Sequence, residues 1–316
     1  MGRTVRFVIP AVPALMTLAA VSCGNNPEGP DAWPDGAEFM IGSPDPCSDT
    51  ALAFSPGGEI LLFCSDYSGN PGIYGFEVGS GDDPSLRTFM SQDESNGPNG
   101  CWCDTVSASG TGMIVFTARF EEGFSSILWM PGNEYAVHTL VNDSLPHLHP
   151  SWSPDADSLV WSTMQDGSWG IWTSAFDSIA PVPLYSPAGV DCLRPSYSPD
   201  GDWIIFERIV SGEGDIWAMR PDGSEAHELA GGPGDDRHPC WGHGDGRFAF
   251  TSDRTGNHEI WIGETGSSDL VQVTFDEADD LYPAWNPSGD WIAFSSDRQY
   301  PGESYDVYWI DAPVTD

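Results

Sequence analysis

Pro195-Ser196-Tyr197-Ser198-Pro199-Asp200-Gly201-Asp202-Trp203-Ile204-Ile205-Phe206, followed nine residues on by Asp215-Ile216-Trp217-Ala218-Met219-Arg220-Pro221-Asp222-Gly223, decides the fold. In Ser198-Pro199-Asp200-Gly201 the proline presets φ at about −65° and the glycine can take φ > 0, so the segment is a turn. Trp203 to Phe206 is continuously apolar, as a strand covered on both faces is. Arg194 to Ser198 reads as the strand before the turn. Ser211-Gly212-Glu213-Gly214 turns the chain again, Asp215 to Arg220 is a third strand, and a more polar fourth, Glu225 to Ala230, follows Pro221-Asp222-Gly223.

The pattern recurs on both sides of this unit. Prolines stand at Pro150, Pro195, Pro239 and Pro283, spaced 45, 44 and 44 residues apart, three of them two residues before a Trp and the fourth before Tyr197. Aromatics recur at Phe63, Phe116, Trp161, Phe206, Phe250 and Phe294, and a third series follows at Tyr74, Trp129, Trp172, Trp217, Trp261 and Tyr308. Three landmarks thus count six units. Four short antiparallel strands in about 45 residues, repeated, is the arithmetic of a β-propeller blade, and helical solenoids have other periods. The expected fold is all-β, a six-bladed β-propeller of four-stranded antiparallel blades. The last unit shows strands at Tyr282–Asn286, Trp291–Ser296 and Asp306–Ile310 but no fourth, so Glu38-Phe39-Met40-Ile41 is expected to close that blade and cover its edge.

Composition supports this. The chain holds 36 Gly and 27 Pro in 316 residues, too many for a helical bundle. Its 14 Trp, 15 Phe and 9 Tyr are too many for a disordered chain. A net charge of −37, with eleven Arg and no Lys, repels phosphate backbones, so nucleic acid is not an expected partner.

The N-terminus reads as an address. Arg3 and Arg6 precede an apolar stretch from Phe7 to Val21, which small residues close before Cys23. This is the layout of an export signal, and it resembles a bacterial lipobox in which Cys23 is the lipidated residue. The expected organisation is a signal peptide over 1–22, a flexible tether over 23–36 rich in Gly, Asn and Pro, and the propeller over 37–316. The membrane is expected to be met only through the lipid. Six further cysteines, Cys47, Cys64, Cys101, Cys103, Cys192 and Cys240, read as disulfides in an exported chain. Cys101-Trp102-Cys103 has neither the spacing nor the second thiol pair of a zinc site.

The unit from Pro195 through Phe206 to the Asp215-Ile216-Trp217 segment resembles the TolB-type, WD-repeat-like propeller repeat. The resemblance spans roughly the whole of 37–316, best in the third to sixth units. In the first two units the landmarks are weaker, with Asp104-Thr105-Val106 in place of Pro-x-Trp. Members of that family are periplasmic and bind an envelope lipoprotein, with a preceding α/β domain for which the stretch between Cys23 and Glu38 leaves no room. The resemblance therefore implies a binding scaffold, a monomer with an envelope protein or peptide as partner, at the periplasmic face of the outer membrane, and no cofactor. Similar propellers precede the hydrolase domain of prolyl-oligopeptidase-like peptidases, but the chain has no G-x-S-x-G elbow and is not expected to be one. The alternative is a calcium-dependent propeller hydrolase of lactones or esters, which would need channel carboxylates.

The Trp at 152, 172, 217, 241, 261 and 285 recur at fixed places and read as packing between blades. Ser252-Asp253-Arg254 and Ser296-Asp297-Arg298 read as turns in which Asp caps backbone N–H groups. Binding residues are expected in the loops from each fourth strand to the next first strand, which gather at the channel mouth: His147 and His149, Asp191 and Arg194, Asp235, Asp236, Arg237 and His238, and Asp279, Asp280 and Tyr282. No residue is expected to be catalytic or to ligate a metal. The same topology predicts a Cys192–Cys240 disulfide, and pairing of Cys47 and Cys64 with Cys101 and Cys103 in an open order.

Overall fold

The computed structural model describes residues 36–41, 50–55, 57–65, 72–78, 87–88, 101–106, 113–119, 125–131, 137–244, 246–299 and 301–313. The strands are β1 (Glu38–Ile41), β2 (Thr50–Phe54), β3 (Ile60–Ser65), β4 (Gly72–Glu77), β5 (Arg87–Thr88), β6 (Cys101–Val106), β7 (Met113–Arg119), β8 (Ser125–Pro131), β9 (His138–Val141), β10 (His147–Trp152), β11 (Ser158–Gln165) and β12 (Ser168–Ala175). They continue as β13 (Val182–Tyr185), β14 (Asp191–Tyr197), β15 (Ile204–Val210), β16 (Glu213–Met219), β17 (His227–Ala230), β18 (Asp236–Trp241), β19 (Arg247–Ser252), β20 (Glu259–Glu264), β21 (Leu270–Gln272), β22 (Asp280–Trp285), β23 (Trp291–Ser296) and β24 (Asp306–Asp311). Consecutive fours from β2 to β21 make five sheets, and β22, β23, β24 and β1 make a sixth. Every pairing is antiparallel, and β1 joins β24 with Phe39 opposite Tyr308, as the missing fourth strand required.

The strand phase explains the repeat. On β15, Ile204 and Phe206 pack into the apolar layer shared with β10–β13, whereas Ile205 points the other way, into the layer shared with β18–β21. Both faces are covered, so no polar residue is tolerated until Glu207. The same phase holds in every sheet. Phe63, Phe116, Trp161, Phe206, Phe250 and Phe294 all face the preceding sheet, Phe63 facing the sixth. Six apolar layers therefore each draw on two neighbouring sheets. Trp152 and Trp285 are buried in them, and Trp172, Trp217, Trp241 and Trp261 pack at their margins, so the recurrent Trp are packing residues.

Turn chemistry is as the sequence dictates. Gly201 takes φ +76°, its N–H donates to the Ser198 carbonyl, and the Ser198 hydroxyl both donates to Asp200 and accepts from the Trp203 N–H. Ala156 holds the matching place in the third unit at φ 58°. Ser211 and Gly212, at φ 57° and 96°, are a two-residue hairpin turn between β15 and β16.

Two expectations are corrected. The segments assigned to loops at His147, Asp191, Asp236 and Asp280 begin the strands β10, β14, β18 and β22, and Cys101 and Cys103 lie in β6. Each of those four strands carries a bulge of one extra residue, and the ladder continues on its N-terminal side through the residues that read as loop. The Cys192–Cys240 disulfide is absent, and both thiols are free. Cys192 points into the layer between the third and fourth sheets and Cys240 against the layer between the fifth and sixth, so the two face different layers and cannot meet. Cys64 lies in the layer between the first and second sheets. Cys23, Cys47 and the side chains of Cys101 and Cys103 lie outside the described residues.

Candidate functional site

Each bulge falls at one residue before a proline. His149, Arg194, His238 and Tyr282 have φ of 54°, 52°, 53° and 54°, the left-handed region that non-glycine residues seldom occupy. The extra residue of a bulge re-aims its side chain. All four line one cavity of about 90 Å³, together with Leu52, Pro195, Ser196, Pro239, Cys240 and Pro283. The cavity thus collects side chains from β2, β10, β14, β18 and β22, the first strand of five sheets.

Within it the rings are layered. The His238 and Tyr282 rings lie 3.9 Å apart at 32°, and the Arg194 guanidinium sits 5.2 Å from the Tyr282 ring centre. Behind them is Glu207, 2% exposed, on β15. Its Oε1 accepts from the His238 backbone N–H at 2.8 Å and lies 3.3 Å from Arg194 Nε, while Oε2 lies 3.6 Å from Arg237 Nη1. Arg237 also donates to Asp235 and to the Gly212 carbonyl. Enclosure, then the charges of Arg194, Arg237 and His258, hold the His238 imidazole well below its ordinary range.

Glu207 was not singled out from the sequence. The corresponding positions in neighbouring sheets are Thr117, Ser162, Thr251 and Ser295, at the repeat spacing of 44 or 45. Thr117 makes the equivalent contact, accepting from the His149 N–H. A carboxylate where the repeat has a hydroxyl is the signal that marks it.

The other expected residues have structural duties. Asp191, Asp235 and Asp279 accept from the N–H groups of Trp169, Gly214 and His258, at the start of a third strand in the sheet before, and so staple neighbouring sheets. Asp236 and Asp280 are buried, not presented at a mouth. Arg254 donates twice to Asp236, at 2.9 and 2.8 Å, and Arg298 donates to Asp280 at 2.7 Å. Burial raises the Asp236 carboxyl against its hydrogen bonds from Ser252 and Arg254, and pushes Asp280 up to about 7 against the Arg298 charge. Asp253 and Asp297 do cap backbone N–H groups, but those of Asp235 and Asp279, ahead of the first strand of the same sheet; within its own turn Asp297 also accepts from the Gly302 N–H. His147 is buried between Asp143 and Thr163, and burial lowers its imidazole, with Asp143 opposing.

A family model described as the TolB β-propeller domain matches residues 127–311. The chain belongs to the TolB β-propeller family. Among solved structures of this TolB-like fold, a putative TolB from Agrobacterium tumefaciens is 21% identical, with a TM-score of 0.66 over 86% of this chain and 92% of that one. TolB from Acinetobacter baumannii is 14% identical, with a TM-score of 0.57 over 88% and 66%. The oligogalacturonate lyase of Vibrio parahaemolyticus has the same TM-score at 12% identity, over 88% and 93%, so an enzyme shares the TolB-like fold. No curated protein sequence matches the chain.

Proposed function

We propose that this chain is an exported envelope protein, anchored through Cys23 at the periplasmic face of the outer membrane, whose six sheets close into a six-bladed propeller that binds a protein or peptide partner at the channel. Closure is supported by the six apolar layers, since Leu52, Phe63 and Tyr74 of the first sheet pack with Ala284, Ala293 and Val307 of the sixth. The observation that carries the binding role is the cavity where His149, Arg194, His238 and Tyr282 converge from four consecutive sheets on strained backbone. Strain of this kind persists where the surrounding structure over-determines it and clusters at functional sites. Arg194 and the two His suit an anion, whereas the calcium needed by the alternative, a hydrolase of lactones or esters, takes oxygen ligands.

The test is capture of partners from envelope extracts by the wild-type chain and by the double variant His238→Ala, Tyr282→Ala. Loss of a specific partner with the fold retained supports the assignment. Identical capture by both sinks it.

A further inference from the structure

The chain carries a net charge of −37, yet the residues lining its cavity include one Arg and two His and no carboxylate. The His238 ring faces the guanidinium charges of Arg194 and Arg237, while the Glu207 carboxylate accepts from its backbone N–H. Arg194 keeps 18% of its side chain exposed, and the face of its guanidinium is set against Tyr282. Its position is built: Glu207, buried behind the wall, holds Arg194, Arg237 and the His238 backbone at once.

We propose that this cavity binds a single carboxylate group of a peptide, held by the Arg194 guanidinium beside the His238 and Tyr282 rings. The inference rests on the partner-binding role above and gives that partner a chemistry. A guanidinium is the side chain whose planar fork matches a carboxylate. The size allows it, because about 90 Å³ is several times the space that one water needs, and a carboxylate with its first carbon fits within it. The charge of the whole chain narrows the ligand further. A polyacidic segment is repelled by the surface, so the carboxylate stands on an otherwise neutral or basic peptide. It comes from a C-terminus or from one acidic side chain.

The test uses the whole chain with isotope-labelled histidine and three probes: acetyl-Gly-Gly-Ala with a free C-terminus, the same peptide amidated, and amidated acetyl-Gly-Glu-Gly. A saturable shift of the His238 ring signals is expected with the free acid or with the Glu peptide, and whichever binds tighter identifies the source. Binding of the fully amidated peptide should be weaker by at least about tenfold, and Arg194→Gln should weaken the acid peptide by a similar factor. Arg194→Lys keeps a charge opposite Glu207 without the fork, and should weaken it several-fold with the fold intact. Arg220→Gln, whose arginine lies on Trp203, should change nothing. Equal binding of acid and amide, no shift with either carboxylate, or undiminished binding in both Arg194 variants overturns the proposal. Partner capture that depends on His238 and Tyr282 but survives Arg194→Gln removes this inference and leaves the partner role. Carboxylate binding by a chain that captures no partner does the reverse.

Discussion

The rings of His238 and Tyr282 meet at 3.9 Å, tilted by 32°, although they belong to different sheets, β18 and β22, 44 residues apart in sequence. Neither strand could place its ring there in a regular ladder. Both do so through the same left-handed residue before proline, so the contact between the two sheets is set by local backbone chemistry in each unit.

The imidazole of His238 gives a pH signature. Its folded value is depressed, whereas the unfolded chain takes up its proton at about 6.5. Its contribution to stability is therefore complete above that pH and is lost as pH falls toward the folded value. Melting temperatures of wild type and His238→Gln, compared between about pH 7.5 and 5, should show wild type losing ground to the variant on acidification. A constant difference would show that His238 titrates alike in both states.

The buried pair Asp236 and Arg254 should be costly to break. Arg254→Ala leaves a 1% exposed carboxylate without its guanidinium, at a cost of about 3–5 kcal/mol. Arg220→Gln removes partly exposed contacts with Glu225, the Asp202 carbonyl and the Trp203 ring, and should cost about 1–2 kcal/mol. Urea denaturation of both variants measures the contrast, and similar losses would contradict it.

At the Ser-Pro-Asp-Gly turn the two substitutions Gly201→Ala and Ala156→Gly should have opposite signs. A Cβ on Gly201 meets only Pro154, at 3.7 Å, so the cost is backbone strain at φ +76°, about 1 kcal/mol. Ala156 already bears that strain at φ 58°, and glycine relieves it by slightly more than its chain entropy takes away. Thermal unfolding decides, and two changes of the same sign would refute the account.

Burial pushes the thiols of Cys192 and Cys240 up to about 12. Both should resist alkylation in the native protein and react fully after unfolding, without reductant. A Cys192–Cys240 peptide in an unreduced digest would contradict the free thiols.

The repeat was legible because it is written in large apolar residues that face one way. Phe206 and its five counterparts fix the layers, and the Ser-Pro-Asp-Gly turn fixes where a hairpin begins. The strand starts were not legible, since Asp191 to Arg194 and Asp235 to His238 have the composition of loops. A bulge ahead of a proline makes such residues the beginning of a strand, and no propensity reports a bulge. The cysteines failed for a related reason. Which layer a thiol faces depends on the phase of the pleat, and one residue of slip reverses it. Asp236 and Asp280 looked like presented acids because their partners, Arg254 and Arg298, are 18 residues away in the turn after the next strand.

Three different side chains at four positions, His149, Arg194, His238 and Tyr282, share nearly the same φ. The strain is thus a property of the socket and not of the side chain plugged into it. A socket of that kind can change occupant without the sheets having to be solved again, because bulge and proline have already absorbed the awkward geometry. The cavity wall is in this sense a rack of interchangeable pins, in which one substitution changes what the cavity presents.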